Sequence, residues 1–159
     1  MFPLTMIIML GEDKKRTKMT KIIIGDADSL IGLAYKDDSN HGKTQQITKW
    51  LLSKNYQIIY PNTAIIEAVT TLKRALNLAD KSHLINTQYQ QDAFQVEYIN
   101  AEIMKRASQI FEKAVSKKNT LFDSVVAATA EKLKADAIFS FDTWYKKLGF
   151  TLAEDFVKN

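Results

Sequence analysis

The chain contains no cysteine, which excludes disulfides and thiolate metal sites outright. Histidine is almost as scarce, with only His41 and His83, so a bound metal must be held by oxygen or by these two rings. No apolar stretch is long enough for a membrane. The opening segment MFPLTMIIML is ten residues, too short to cross a bilayer. Its basic residues Lys14, Lys15, Arg16 and Lys18 follow the apolar run, whereas a signal peptide carries its positive charge first. These absences lead to the expectation of a cytoplasmic protein with no membrane partner. Repeats, low-complexity tracts and linkers are lacking too. The formal charge of +4 and the pI near 9.1 permit an anionic partner such as nucleic acid without demanding one.

What is present fits one core. A length of 159 residues, 46% hydrophobic and 25% charged, is ordinary for a single soluble domain. Met19 stands just before the first strong strand signal. Residues 1–18 are therefore expected to be a dispensable N-terminal extension and residues 19–159 one domain, which a truncation starting at Met19 should reproduce as a folded protein.

The stretch Lys21–Tyr35, KIIIGDADSLIGLAY, organises the rest. Three β-branched isoleucines, Ile22 to Ile24, suit a strand buried on both faces, as in a parallel sheet. Gly25 ends the run, Asp26 and Asp28 follow, and a helical pattern starts at once. Further strands are expected at Gln57–Tyr60, Phe94–Ile99, Ala137–Phe141 and Phe150–Leu152. Helical patterns cover 44–53, 63–78, 80–91, 100–117 and 120–133, with a short turn at 144–148. This alternation predicts a three-layer α/β/α sandwich with a mainly parallel central sheet.

Other acids return to the same edge. Asp142 repeats the pattern of an apolar strand closed by an aspartate, so Asp26 and Asp142 are expected to approach each other. Aspartate is also a common helix cap after a strand. Glu67 lies in the first turns of the helix after Gln57–Tyr60; its alternative is a solvated stripe with Arg74 as ion partner. Asp123 completes a capping box with Thr120, and that placement also aims it out of the helix's amino end. A cluster of unpaired carboxylates repels itself, so it normally holds hard cations. Mg²⁺ or Mn²⁺ suits such an open, acid-lined edge, and the chemistry that uses it is phosphoryl hydrolysis.

The order of these acids resembles the PIN domain family, in particular the VapC-type toxin ribonucleases. The matching motifs are Ile22-Ile23-Ile24-Gly25-Asp26-Ala27-Asp28, Pro61-Asn62-Thr63-Ala64-Ile65-Ile66-Glu67, Phe122-Asp123-Ser124 with the small residues up to Ala130, and Ser140-Phe141-Asp142-Thr143-Trp144. Two departures stand out: Asp28 where Asn or Ser is commoner, and Ser124 where Ala often follows. The resemblance implies a PIN-like fold and a divalent-metal endoribonuclease leaving 5′-phosphate and 3′-hydroxyl ends. Asp26, Glu67, Asp123 and Asp142 would be its catalytic and metal-binding quartet, with Mg²⁺ or Mn²⁺ as cofactor. Asp26 and Asp142 would be the inner ligands, and Asp28 and Ser140 would stand behind them. It further implies an RNA substrate, homodimers and a cognate antitoxin.

Candidates for guiding RNA are Arg74, Lys105, Arg106, Lys113, Lys117, Lys118, Lys132, Lys134, Lys146 and Lys147, each of which is otherwise an ordinary solvated charge. Trp144 and Tyr145 would either stack on a base or pack the core edge. Two rival readings remain open. The Asp26-Ala27-Asp28 opening also resembles haloacid-dehalogenase-type phosphatases, with Asp26 as nucleophile. A PIN-like module that binds RNA or protein without cutting is the other.

Overall fold

In the computed structural model, residues 20–158 are described. The expected extension, residues 1–18, lies outside the described residues. The chain runs β1 (Ile22–Gly25), α1 (Ala27–Ala34), α2 (His41–Ser53), β2 (Gln57–Pro61), α3 (Asn62–Thr70), a π-helical turn (Thr71–Ala75) and α4 (Ala79–Gln90). It continues through β3 (Gln95–Glu97), α5 (Ala101–Glu112), α6 (Leu121–Leu133), β4 (Ala137–Phe139), α7 (Trp144–Lys147) and α8 (Glu154–Val157).

The four strands pair in the order β3-β2-β1-β4, all parallel. Ile23 stands opposite Ile58 on one side and Ala137 on the other. The side chains alternate between two apolar layers, as the period of two along a strand requires. Ile23, Ile58, Tyr60, Ala137 and Phe139 join Leu30, Leu51, Ile65 and Leu72 on the face covered by α1 to α4. Ile24 and Ile138 join Ile103, Ala107, Ile110 and Val126 on the face covered by α5 and α6. The result is the expected α/β/α sandwich.

Topology also places the functional edge. From β1 the chain steps outward to β2 and β3, then returns across the sheet to β4 on the far side of β1. The strand order therefore reverses between β1 and β4. In open α/β sheets the crevice beyond the carboxyl ends at such a reversal is where ligands bind. Asp26 follows β1 and Ser140 follows β4, and the Asp26 amide donates to the Phe139 carbonyl at 3.1 Å across that gap.

Several local expectations change. The expected strand at Phe150–Leu152 is reduced to a single parallel bridge between Ile138 and Leu152, because the chain turns after Leu152 into α8, a helix that was not anticipated. The third strand is three residues, Gln95–Glu97, rather than six. The fourth stops at Phe139, because the Ser140 hydroxyl and the Phe141 amide turn away to Asp28. Helix α2 starts at His41, ahead of the expected start at residue 44.

Gly25 is fixed by a close approach. A β-carbon there would run into the ring of Tyr60, itself a buried core residue. Gly25→Ala is expected to destabilise the fold by roughly 1–3 kcal/mol through overpacking. Urea unfolding would read this as a lower midpoint with an unchanged slope; an unchanged midpoint would refute it.

Candidate active site

Asp26 enters the edge as the N-cap of α1. Its Oδ1 accepts from the Ala27 amide at 2.7 Å, and its Oδ2 accepts from the Tyr145 hydroxyl at 2.8 Å. Asp26 is buried, and burial raises its pKa to about 6, helped by the charge of Asp123 and opposed by the Tyr145 bond.

Asp28 lies in the first turn of α1. Its Oδ2 accepts from the Ser140 hydroxyl at 2.9 Å and from the Phe141 amide at 2.7 Å. The Asp142 amide in turn donates to the Ser140 hydroxyl oxygen at 3.1 Å. Asp28 thus fastens the first turn of α1 to the turn that carries Asp142. Its Oδ1 is buried without a partner. Burial first, and then the charge of Asp26, push its pKa to about 8.

Glu67 projects from α3, one turn before the π-helical segment. Such bulges often mark functional stretches of a helix. Glu67 is half-buried rather than part of a solvated stripe. Among the described residues no ion pair joins it to Arg74. Burial, reinforced by Asp26 and Asp123, lifts its pKa to about 7.

Asp123 makes the capping box: its Oδ2 accepts from the Thr120 amide at 2.6 Å. Burial raises its pKa, the Thr120 bonds oppose the shift, and the charge of Asp142 adds to it. Asp142 uses Oδ1 to accept from the Trp144 amide at 2.8 Å and Oδ2 to accept from Asn119 Nδ2 at 3.2 Å. The fold therefore brings Asp26, Glu67 and Asp123 near enough that the charge of Asp123 acts on Asp26 and the charges of both act on Glu67. Asp142 adjoins them through Asp123, with Asp28 behind Asp26.

Two features were not visible in the sequence. Tyr145 is fully buried, so of its two expected roles packing holds and base stacking does not; what was missed is that its hydroxyl orients Asp26. Trp144 packs on the α5/α6 core. Asn119 as a partner of Asp142 was also missed. Neither contact has a local signal, because the partners are 119 and 23 residues apart.

The donor set suits a hard divalent cation, which takes oxygen ligands, retains several waters and needs only one or two carboxylates. The orphaned Asp28 Oδ1 is consistent with that demand. Among the described residues no three acids stand close enough to hold one ion by themselves, so water would complete the shell. Of the basic candidates, Arg106 pairs with Glu131, Lys132 with Glu97 and Lys146 with Asp155. No helix among the described residues is long and apolar enough to cross a membrane.

A parallel α/β/α sandwich with acids gathered at its switch-point edge is the class this geometry defines. The family model of the PIN domain matches residues 24–151, and the chain belongs to the PIN domain family. Among solved structures it is similar in fold to Mycobacterium tuberculosis VapC20, described as a sarcin-ricin loop cleaving toxin. That match has a TM-score of 0.70 at 17% identity and covers 81% of this chain and 96% of that one. A toxin–antitoxin complex from Klebsiella pneumoniae is also similar, with a TM-score of 0.50 at 16% identity over 76% of this chain and 87% of that one. No curated protein matches the sequence.

Proposed function

We propose that this protein is a divalent-metal-dependent endoribonuclease and the toxin of a type II toxin–antitoxin pair. One observation carries the reading: three acids from three different elements meet at the switch-point crevice, where the charge of Asp123 raises the pKa of Asp26 and the charges of both raise that of Glu67. Membership of the PIN family and the fold shared with VapC20 support it. Asp26, Glu67, Asp123 and Asp142 are the residues that would hold Mg²⁺ or Mn²⁺, with Asp28 and Ser140 fixing the turn behind them.

When bound, such an ion supplies Lewis-acid stabilisation of a phosphoryl oxygen and a water of lowered pKa. The chain's own residues do the rest. Tyr145 and the Ala27 amide hold both oxygens of Asp26 in one orientation. Glu67, half-buried on α3 beside Asp26 and Asp123, would complete the site or orient the attacking water. The unpaired lysines around the edge would hold the RNA backbone. A phosphatase that uses Asp26 as a nucleophile is the weaker reading, because the family model that matches residues 24–151 is that of the PIN domain. Self-pairing and a cognate antitoxin belong to the same proposal, as does an independently folding domain from residue 19 onward.

The test is incubation of the purified protein with a structured RNA pool and Mg²⁺ or Mn²⁺. Cleavage that leaves 5′-phosphate ends and stops on EDTA addition is the expected result. RNA left intact while divalent metal still binds would overturn it.

A further inference from the structure

Beside the acid edge lies an open cavity of about 580 Å³, between the end of α5 and the start of α6. Its walls include Phe111, Val115, Lys117, Asn119, Thr120 and Phe122, and no acidic side chain lines it. Three of these are apolar side chains turned to solvent: Val115 is 100% exposed, Phe111 40% and Phe122 42%. Exposed apolar groups gathered at one place normally serve recognition.

Two facts say what the cavity receives. The first is continuity with the candidate site. Asn119 and Thr120 line the cavity and also hold the acids, Asn119 through Asp142 Oδ2 and the Thr120 amide through Asp123 Oδ2. A molecule in the cavity is therefore a direct neighbour of one bound at the carboxylates. The second is charge. Lys113, Lys117 and Lys118 are exposed on the connecting segment, and none forms an ion pair among the described residues. Aromatic faces beside free ammonium groups suit a single-stranded nucleic acid, whose bases stack while its phosphates meet the cations.

We infer that this cavity is a nucleobase subsite. It would take an unpaired base flanking the scissile phosphate, against Phe111, Val115 and Phe122, with Lys117 and its neighbours on the adjoining phosphates. The inference rests on the ribonuclease reading and adds where the substrate strand leaves the acids.

The experiment measures binding of a short fluorescent oligouridylate, and of its abasic counterpart, in EDTA so that nothing is cut. Phe122→Ala is expected to weaken oligouridylate binding about tenfold and to leave binding of the abasic strand unchanged. Val115→Asp changes a wholly exposed side chain and so spares the fold; it should weaken both strands. In cleavage assays Phe122→Ala should raise KM with kcat preserved. Oligouridylate affinity unchanged in both variants would overturn the subsite. So would intact RNA binding combined with loss of a co-expressed protein partner, which would assign the cavity to a protein. If the wild-type protein cuts RNA with a KM that Phe122→Ala does not move, the subsite fails and the ribonuclease reading stands. If it cuts nothing yet binds oligouridylate through Phe122, the subsite stands and the ribonuclease reading fails.

Discussion

Asp26→Asn is expected to lower RNA cleavage by on the order of 10³-fold without lowering the melting temperature. The two halves of this result have separate causes. The amide cannot offer the charged oxygen that a hard cation needs, and Asp26 is held in one orientation by Ala27 and Tyr145. The fold has little to lose. An Asn oxygen still caps the Ala27 amide, and the Tyr145 hydroxyl, which can accept as well as donate, can turn to meet the new NH₂ group. Removing the charge also relieves repulsion from Asp123. Cleavage within tenfold of wild type would remove Asp26 from the machinery. A large fall in melting temperature would instead make it a structural cap.

The second large effect is on stability as a function of pH. In the metal-free protein Asp26, Glu67 and Asp28 have folded-state values of about 6, 7 and 8, all above their ordinary carboxylate values. The folded state therefore holds more protons than the unfolded chain across this range. The stability linked to those protons is full below about pH 4 and is lost as pH rises through 6, 7 and 8. The metal-free protein should melt lower at pH 8 than at pH 5.5, and Mg²⁺ should raise the melting temperature most at pH 8, where protons no longer compete for the acids. Asp28→Asn isolates the largest part. The variant keeps an acceptor for Ser140 and Phe141 but carries no charge. At pH 8 it should melt roughly 5 °C above wild type, equivalent to about 2 kcal/mol at this size, with the gap narrowing as the pH falls and closing near pH 4. Equal melting curves for the two proteins at pH 8 would show that Asp28 does not carry the repulsion.

Much of this arrangement was legible in the sequence because it is local. The run Ile22–Ile24 reads as a strand buried on both faces. The chain places an acid directly after β1, in the first turns of α3 and at the capping position of α6, so periodicity and capping chemistry suffice to locate Asp26, Glu67 and Asp123. The contacts that orient them are not local. The bonds from Ser140 and Phe141 to Asp28, and from Tyr145 to Asp26, span more than a hundred residues and leave no trace in spacing. The same holds at Phe150–Leu152, where an apolar triplet suggests a strand and only the turn after Leu152 limits it to one bridge. The π-helical turn after Glu67 was hidden too, because Leu72 continues the apolar spacing of α3 while the backbone hydrogen bonding changes beneath it.

The two tryptophans stand at opposite ends of the sheet. Trp50 stacks on Tyr56 and meets Phe156 at a tilt beside the amino ends of the strands. Trp144 lies beyond β4, its amide on Asp142 and its ring 5.5 Å from that of Tyr145. The protein thus has a built-in optical reporter. With Trp50 replaced by Phe, the remaining indole emission comes from a residue bonded to one site acid and touching the phenol that holds another. Titrating Mg²⁺ against that emission would follow the filling of the acid edge directly, with no RNA present and before any substrate is known.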